Sequence, residues 1–399
     1  MFDFHLLLTL YPVWLPIFLV AIFWNLWVNY VRSKFFLSEK TVLLEFKIPR
    51  DIFKTPLAME VFLDALYDTG GERTFIDRYW MGKTRPWFSL EIASLEGKVK
   101  FFIWTRASWK NFIESQLYAQ YPGIEVVEVP DYAKTVVFDK EKHNAWGCDF
   151  ILTEPDPYPI KTYVDYNLDN AQLEEESKTD PITNVIEFLG TMGKNEQMWI
   201  QIIIRAHKKE KRATGGLWRK KSDWKDEAEI EIKKITSHAK DAEKDGFNEQ
   251  RLTSGEKDRI KALERSIGKT PFDCGIRAIY LADRAAYRKT NEPGLRNSLK
   301  QFSSPDLNSL VPNGKVWLPK YDYPWQDYQD RRHNRDKRRL VEAYKRRSFF
   351  YPPYQSSKPF ILNSEELATI FHFPGKVSEA PTFDRLAAKK AEPPANLPI

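Results

Sequence analysis

The sequence predicts an α+β protein with an N-terminal transmembrane helix, followed by two ferredoxin-like (split βαβ) domains. Three observations lead to this fold class. The chain opens with a long apolar stretch, alternating apolar and polar residues follow it, and one order of strands and helices occurs twice. The second copy is interrupted by a charged segment, which predicts a helical-hairpin insertion in the second domain.

The apolar stretch covers residues 4–31 and contains no ionisable side chain except His5. A bilayer core of about 30 Å needs about 20 helical residues, so this stretch is long enough to span it. No basic residue precedes the stretch and no small-residue cleavage site follows it, so a signal peptide fits poorly. A buried core helix is the remaining alternative. We interpret residues 1–31 as a single-pass membrane anchor.

The charges next to this stretch indicate its orientation. Arg32, Lys34 and Lys40 follow it, whereas Asp3 precedes it. The positive-inside rule therefore predicts an N-terminus outside and the bulk of the chain in the cytoplasm, at the inner (cytoplasmic) membrane of the cell. Residues 32–40 are expected to be a juxtamembrane linker.

Residues 41–146 form the first predicted ferredoxin-like domain. Residues 42–48 alternate as in a strand with one buried face, and Pro56 opens a helix. A hairpin turns at Glu96-Gly97, a second helix stops at Pro122-Gly123, and a last strand follows. The order is strand, helix, strand, strand, helix, strand.

Residues 147–320 repeat this order as the second predicted domain. Its elements are a short strand at 150–152, a helix after Asp180-Pro181, strands at 198–206 and 272–282, and a helix at 291–302. The insertion at 208–270 has helical stretches near 223–240 and 255–267, with many acid–base neighbours at i,i+4. It is either a solvated arm or an arm that contacts a neighbouring protein.

Composition limits the chemistry of the chain. The 399 residues are 42% hydrophobic, with a formal net charge of +6 that permits an acidic partner. Two cysteines, Cys148 and Cys274, are too few for a disulfide framework and favour a reducing compartment, where we expect them to be inert, partly buried strand thiols. The six histidines show no paired ligand spacing, so no metal or cofactor is expected.

Two tripeptides, Gly82-Lys83-Thr84 and Gly268-Lys269-Thr270, spell the end of a Walker A phosphate loop. A Walker A loop also needs a glycine five residues before the glycine of the tripeptide. In this sequence the two corresponding positions hold Asp77 and Leu263. Both tripeptides are therefore interpreted as chance matches. No catalytic triad, Cys-His pair or paired-carboxylate site has support either, so the chain is not expected to be an enzyme.

Residues 321–399 are interpreted as a basic connector, a short helix and a Pro-rich tail. Between 331 and 347 there are nine basic residues against Asp336 and Glu342. Such density suits a solvated connecting helix, contact with nucleic-acid phosphates, or contact with anionic lipid or an acidic partner. The arginines that would make these contacts are Arg331, Arg332, Arg335, Arg338, Arg339, Arg346 and Arg347.

The short helix reads Glu365-Glu366-Leu367-Ala368-Thr369-Ile370. Leu367, Ile370 and Phe371 give it an apolar face. This face either packs against the helix's own domain or docks a partner.

Several stretches of this sequence resemble the N-terminal, pre-motor region of membrane-anchored coupling ATPases of type IV secretion and conjugation, which belong to the FtsK/HerA superfamily. The resemblance covers nearly the whole chain after the anchor. The matching stretches are Ile48-Pro49-Arg50, Thr55-Pro56-Leu57-Ala58-Met59-Glu60, Phe88-Ser89-Leu90-Glu91-Ile92, residues 114–122, Gly275-Ile276-Arg277, Phe349-Phe350-Tyr351-Pro352-Pro353, residues 361–375 and residues 389–398.

In those ATPases the Pro-rich tail leads into the motor domain, whereas this sequence ends at Ile399. None of the family's catalytic residues has a position here. The resemblance implies a non-enzymatic, single-pass component of a secretion or conjugation-like machine, acting as an assembly or docking platform for a motor ATPase, with self-association as a further expectation. The alternatives are the N-terminal part of a split or truncated ATPase and a membrane-tethered nucleic-acid-binding protein.

Overall fold

The structure is a computed structural model that describes residues 11–375, except 50–53, 171–178, 209–223, 245–251, 315–316, 318–322, 324 and 356. The predicted Pro-rich tail lies outside the described residues. The described chain forms two compact units, residues 11–41 with 68–86 and residues 42–67 with 87–375.

The described residues form eleven α-helices and nine strands. The helices are α1 (Tyr11–Ser38), α2 (Pro56–Ala65), α3 (Phe75–Tyr79), α4 (Lys110–Gln120), α5 (Tyr132–Thr135), α6 (Pro181–Gly190), α7 (Trp224–Lys244), α8 (Ser254–Ile267), α9 (Asn291–Asn297), α10 (Arg331–Lys345) and α11 (Ser364–Ile370). The strands are β1 (Thr41–Lys47), β2 (Trp87–Leu95), β3 (Lys98–Arg106), β4 (Glu125–Val129), β5 (His143–Leu152), β6 (Glu196–Ala206), β7 (Pro271–Asp283), β8 (Leu310–Pro312) and β9 (Phe360–Asn363).

The first unit consists of α1 and the segment 68–86 that contains α3. Within Trp14–Ser38, the most apolar 18-residue window has a mean hydropathy of 1.5, and only 11% of that window is buried in the structure. By length and composition, α1 is therefore able to cross a membrane. Helix α1 also continues to Ser38. The predicted linker at 32–40 is mostly helical, because its first residues simply extend the apolar helix.

The second unit is built on one antiparallel sheet. Its strand order is β4-β1-β3-β2-β6-β7-β5-β8, and β9 pairs with β7. The sheet is continuous because β2 pairs with β6 along its whole length, from Trp87 opposite Arg205 to Leu95 opposite Gln197. The predicted α+β class, with an apolar N-terminal helix and a large sheet, is confirmed.

The two halves of this sheet repeat one arrangement. Apart from α3 in the first half and the insertion helices α7 and α8 in the second, the chain order is β1, α2, β2, β3, α4, β4 in the first half and β5, α6, β6, β7, α9, β8 in the second. Numbered within its half, each set of four strands lies in the order 4-1-3-2. The predicted boundary between residues 146 and 147 cuts β5, which begins at His143, because the first residues of that strand pair with β7.

The charged insertion contains the two predicted helices, α7 and α8. Helix α8 begins with a capping box, in which Thr253 and Glu256 exchange side-chain and backbone hydrogen bonds. Leu263 of α8 is fully buried, whereas Lys257 and Lys261 are exposed. One side of α8 therefore packs on the body and the opposite side is solvated.

The main core lies where α2, α4, α6 and α11 cover one face of the sheet. It includes Phe46, Phe101, Ile202, Phe272 and Phe371. A second cluster, around Trp199 and Tyr344, places α10 with residues of β3, β6 and β7. Both halves of the chain contribute to each cluster, so the sheet-bearing unit is a single packing unit.

Candidate functional site: the arginine face of α10

Helix α10 is amphipathic, and its C-terminal half anchors it. Leu340, Val341, Ala343 and Tyr344 are buried in the second cluster. Leu340 also approaches β5 so closely that a Cβ on Gly147 would lie 2.9 Å from its methyl carbon. The glycine at this position lets the helix contact the strand backbone.

The residue that locks the end of α10 is Arg347, whose side chain is completely buried. Its Nε and Nη2 donate to the two carboxylate oxygens of Glu91 at 2.9 and 3.1 Å. Nη2 also donates to Asp131 at 2.9 Å. Burial acts to lower the pKa of Arg347, but Glu91 and Asp131 outweigh it and raise the pKa above its ordinary value. The guanidinium is therefore charged and fully engaged.

A hydrogen-bond network surrounds this ion pair. The Tyr132 hydroxyl donates to Glu91 at 2.8 Å and lies 2.6 Å from the Tyr344 hydroxyl. The side-chain amide of Gln201 donates both to Glu91 and to the Tyr344 carbonyl, each at 3.2 Å. Burial raises the pKa of both tyrosine hydroxyls, which keeps them protonated donors. The network fixes α10 to β2 and β6 in one orientation.

The opposite face of α10 carries exposed arginines. At 3.6 residues per turn, the positions i, i+4, i+7, i+8 and i+15 fall on one side of a helix. The face extends over about 22 Å at 1.5 Å per residue. We call this the arginine face; its exposed members are Arg331, Arg332, Arg335, Arg338, Arg339 and Arg346.

Two acids partly neutralise the arginine face. Glu342 lies 3.8 Å from Arg346 and 3.3 Å from Lys345, and Asp336 lies 3.4 Å from Arg335. Arg335 and Arg346 are each 64% exposed in these contacts, and ion pairs with such solvated arginines are worth only about 0–1 kcal/mol. The face therefore keeps an excess of positive charge that a polyanion can bind.

Exposed aromatic side chains lie in the sequence just before α10. Tyr323 and Trp325 stack with ring centroids 4.7 Å apart, although they are 54% and 77% exposed. The Arg331 guanidinium lies 5.5 Å from the Tyr328 ring centroid. Flat exposed rings beside arginines are able to stack on nucleic-acid bases.

Asp327 holds the start of α10. Its carboxylate accepts hydrogen bonds from the backbone amides of Arg332 and His333 at 2.7 and 2.8 Å. Partial desolvation acts to raise the pKa of Asp327, but these two amide bonds outweigh it and the pKa lies below its ordinary value. The first turn is thus fixed while its arginines stay exposed.

Two sequence predictions about this region need correction. Arg347 does not belong to the phosphate-contacting set, because Glu91 and Asp131 bury it. The docking alternative for Leu367, Ile370 and Phe371 is wrong as well, since these side chains are at most 2% exposed. They fill the main core, where the Phe371 and Phe101 ring centroids lie 5.6 Å apart.

Neither Walker-like tripeptide has the shape of a phosphate loop. Gly268-Lys269-Thr270 follows α8 and leads into β7, whereas a phosphate loop follows a strand and leads into a helix. Lys269 is held by Glu60 at 2.6 Å and by Glu365 at 3.5 Å. Lys83 forms an ion pair with Asp77 at 3.0 Å. In the described part of the chain, no group of three His, Cys, Asp or Glu residues could hold a metal ion.

A second buried ion pair, which the sequence did not predict either, joins Arg277 of β7 to Asp149 of β5. The Arg277 Nε donates to Asp149 at 2.9 Å, and both side chains are completely buried. Arg277 also lies 5.1 Å from the Trp317 ring centroid. The sequence did contain a signal for this ion pair, because Arg277 lies inside the apolar run Phe272–Ala282 and a charge in a buried strand needs an oppositely charged partner.

The fold and the arginine face together define a class of protein: an α+β body on one antiparallel sheet, with an apolar N-terminal helix and a basic helix fixed to the sheet. A family model described as a domain of unknown function, DUF8128, matches residues 49–385. The chain belongs to this DUF8128 family. A comparison with curated proteins gives no match.

Proposed function

We propose that this protein is a non-enzymatic, single-pass membrane component that presents the arginine face to an acidic partner. The observation that carries the proposal is the contrast within α10: one side is locked by buried polar and apolar contacts, and the other exposes six arginines. A docking surface gains affinity when its charged groups are held in place before binding. A merely solvated connector would not need the buried Arg347 network.

The proposed setting is a type IV secretion or conjugation-like machine, in which the protein acts as an assembly or docking platform for a motor ATPase of the FtsK/HerA superfamily. Support for this setting comes from the resemblance of the stretches quoted above. The strand order 4-1-3-2 in each half of the sheet supports the finer proposal of two ferredoxin-like units fused through β2 and β6.

The proposed location is the inner membrane, with the N-terminus outside and the sheet-bearing unit in the cytoplasm. The apolar α1 supports the anchor. Arg32, Lys34 and Lys40 after the apolar stretch support the orientation.

The test compares two variants of the full chain that lose the same charge. The first replaces four exposed arginines of the arginine face with Gln: Arg335, Arg338, Arg339 and Arg346. The control replaces four exposed lysines of α7 and α8 with Gln: Lys225, Lys233, Lys257 and Lys261.

The wild type and both variants are purified from detergent-solubilised membranes, and the bound proteins are identified. We expect a motor ATPase to co-purify with the wild type and the lysine variant and to be lost from the arginine variant. Equal recovery with all three proteins would refute docking by the arginine face. Absence of any ATPase from the wild type would refute the proposed partner.

The second candidate function is sequence-independent nucleic-acid binding, which the exposed Tyr323 and Trp325, just before α10 in the sequence, favour. Here log K on duplex DNA should fall with log[salt] at a slope of about −0.9 per phosphate neutralised. The arginine variant should have a flatter slope than the lysine variant. If the wild type binds no DNA at low salt, this function is excluded and the acidic-partner proposal is unaffected.

A further inference from the structure

Segment 68–86 of the first unit exposes an unusual run of apolar side chains. Phe75, Ile76, Trp80 and Met81 are 60%, 58%, 57% and 52% exposed. They lie within seven residues, on α3 and just after it. Large apolar side chains clustered on a surface in this way mark a contact with another protein or with a membrane.

Aromatic contacts hold this run against α1. The ring of Trp24 lies 6.1 Å from Phe75, 5.4 Å from Tyr79 and 6.3 Å from Trp80. The indole nitrogen of Trp27 donates a hydrogen bond to the Tyr79 carbonyl at 3.0 Å. The exposed run therefore lies beside the transmembrane candidate at a defined depth along it.

The segment is fixed as well as adjacent to the helix. Gly82 has φ +65°, and a Cβ there would lie 2.4 Å from the Val31 carbonyl oxygen of α1. Thr74 and Asp77 form a capping box that starts α3. These features favour a preformed surface over a loose loop.

We propose that residues 68–86 are a second membrane contact, an interfacial anchor that inserts Phe75, Ile76, Trp80 and Met81 into the lipid headgroup layer beside α1. This inference rests on the proposed insertion of α1 and adds a depth to it. Tryptophan and tyrosine prefer the headgroup level, where one end of the ring is apolar and the other is wet. Trp24, Trp27 and Tyr79 meet at one level of α1.

Charges in the segment exclude the alternative of full immersion in the hydrocarbon. Asp77 and Arg78 lie inside the apolar run, and Lys83 follows it. Moving a charged side chain to the bilayer centre is energetically costly, so these residues do not suit a position in the hydrocarbon. At the headgroup level these groups remain in water while their apolar neighbours are buried.

The length of the apolar stretch agrees with this depth. Counted in the sequence alone, the apolar stretch 4–31 has 20 residues before Trp24, about the number that a hydrocarbon core needs. Trp24, Trp27 and Tyr30 then belong to the headgroup layer, followed by Arg32 and Lys34. The segment lies against that same part of α1, from Trp24 to Val31.

The experiment measures depth in the full chain, reconstituted into vesicles of phosphatidylcholine and phosphatidylglycerol. Single cysteines are introduced as Ile76→Cys, Ile17→Cys and Val137→Cys, and each is labelled with the fluorophore NBD. Cys148 and Cys274 are buried, and burial raises the pKa of their thiols, so both react slowly. Mock labelling of the wild type checks this. Quenching is compared between vesicles with a headgroup nitroxide and vesicles with a nitroxide deep on the acyl chain.

At Ile76 we expect the headgroup nitroxide to remove most of the fluorescence and the deep nitroxide to remove little. Ile17 in α1, near the middle of the apolar stretch, should show the reverse, and the exposed Val137 should be quenched by neither. If Ile76 behaves like Val137 while Ile17 is quenched from the deep position, the interfacial anchor is refuted and the α1 anchor stands. That result would be expected if a second protein copy covered the run. If Ile17 escapes deep quenching, the membrane insertion of α1 fails and this inference fails with it.

Discussion

Replacing Arg347 with Met should be among the most destabilising single changes in this protein. Met has a similar length and fills part of the space, but it leaves the completely buried Glu91 carboxylate without its counter-charge. Three donors remain for Glu91: the hydroxyls of Ser89 at 2.7 Å and Tyr132 at 2.8 Å, and the Gln201 amide at 3.2 Å. They reduce the penalty without cancelling it.

Removing one partner of a buried ion pair typically costs about 3–5 kcal/mol. Asp131 adds less to the loss, because its side chain is 10% exposed and it still accepts the backbone amide of Ala133. We therefore expect Arg347→Met to lower the free energy of unfolding by about 3–5 kcal/mol. The assay is urea unfolding of the detergent-solubilised chain, followed by tryptophan fluorescence.

A double variant separates the lost charge from lost packing. Adding Glu91→Gln to Arg347→Met removes the unpaired carboxylate, so the double variant should be more stable than the sum of the two single losses. Arg339→Met, at an exposed position of the same helix, should change stability by no more than about 0.5 kcal/mol. An Arg347→Met variant as stable as Arg339→Met would refute the buried network as the lock of α10.

Three further predictions concern other parts of the sheet-bearing unit. Gly275→Ala should cost about 1–3 kcal/mol in the same urea assay, because its Cβ would lie 2.4 Å from the Phe349 ring, whereas Gly314→Ala, with open space around it, should be neutral. Burial raises the pKa of Glu366 to about 8, above its ordinary value of 4.5. The free energy of unfolding should therefore fall as the pH rises between these two values. Glu366→Gln keeps the capping box and should make that fall smaller. The purified chain should not hydrolyse ATP above background, and a turnover abolished by Lys269→Ala would show that the tripeptide there is a real phosphate loop.

Local patterns were sufficient to predict most individual elements. The alternation in residues 42–48 corresponds to β1, and the apolar run 272–282 corresponds to β7, because a period of two and β-branched or aromatic content are properties of a few neighbouring residues. The helices of the insertion were predicted from acid–base spacing at i,i+4, and they correspond to α7 and α8.

Contacts between segments that are far apart in the sequence could not be predicted in this way. The pairing of β2 with β6 joins two strand edges, and no local sequence pattern indicates which edges pair. For this reason the sequence predicted two separate domains, whereas the two halves share one continuous sheet. The same limit hid the contact of Gly82 with α1. At the C-terminal end of α10, the density of basic residues led us to group Arg347 with the exposed arginines of the arginine face. The apolar pair Leu340 and Tyr344, one turn apart, was the signal that this end is buried.

The return of α11 to the first half of the chain has a consequence for synthesis. Helix α11 packs against α2, some 300 residues earlier, and Phe373 meets Phe46 with ring centroids 5.8 Å apart. A ribosome adding about 5–20 residues per second needs roughly 15–60 s to make the intervening chain. During that time the core lacks α11, the last helix of the described residues. The apolar surface that α11 covers is then exposed, and contacts between segments so far apart in the sequence favour slow folding and a need for chaperone protection.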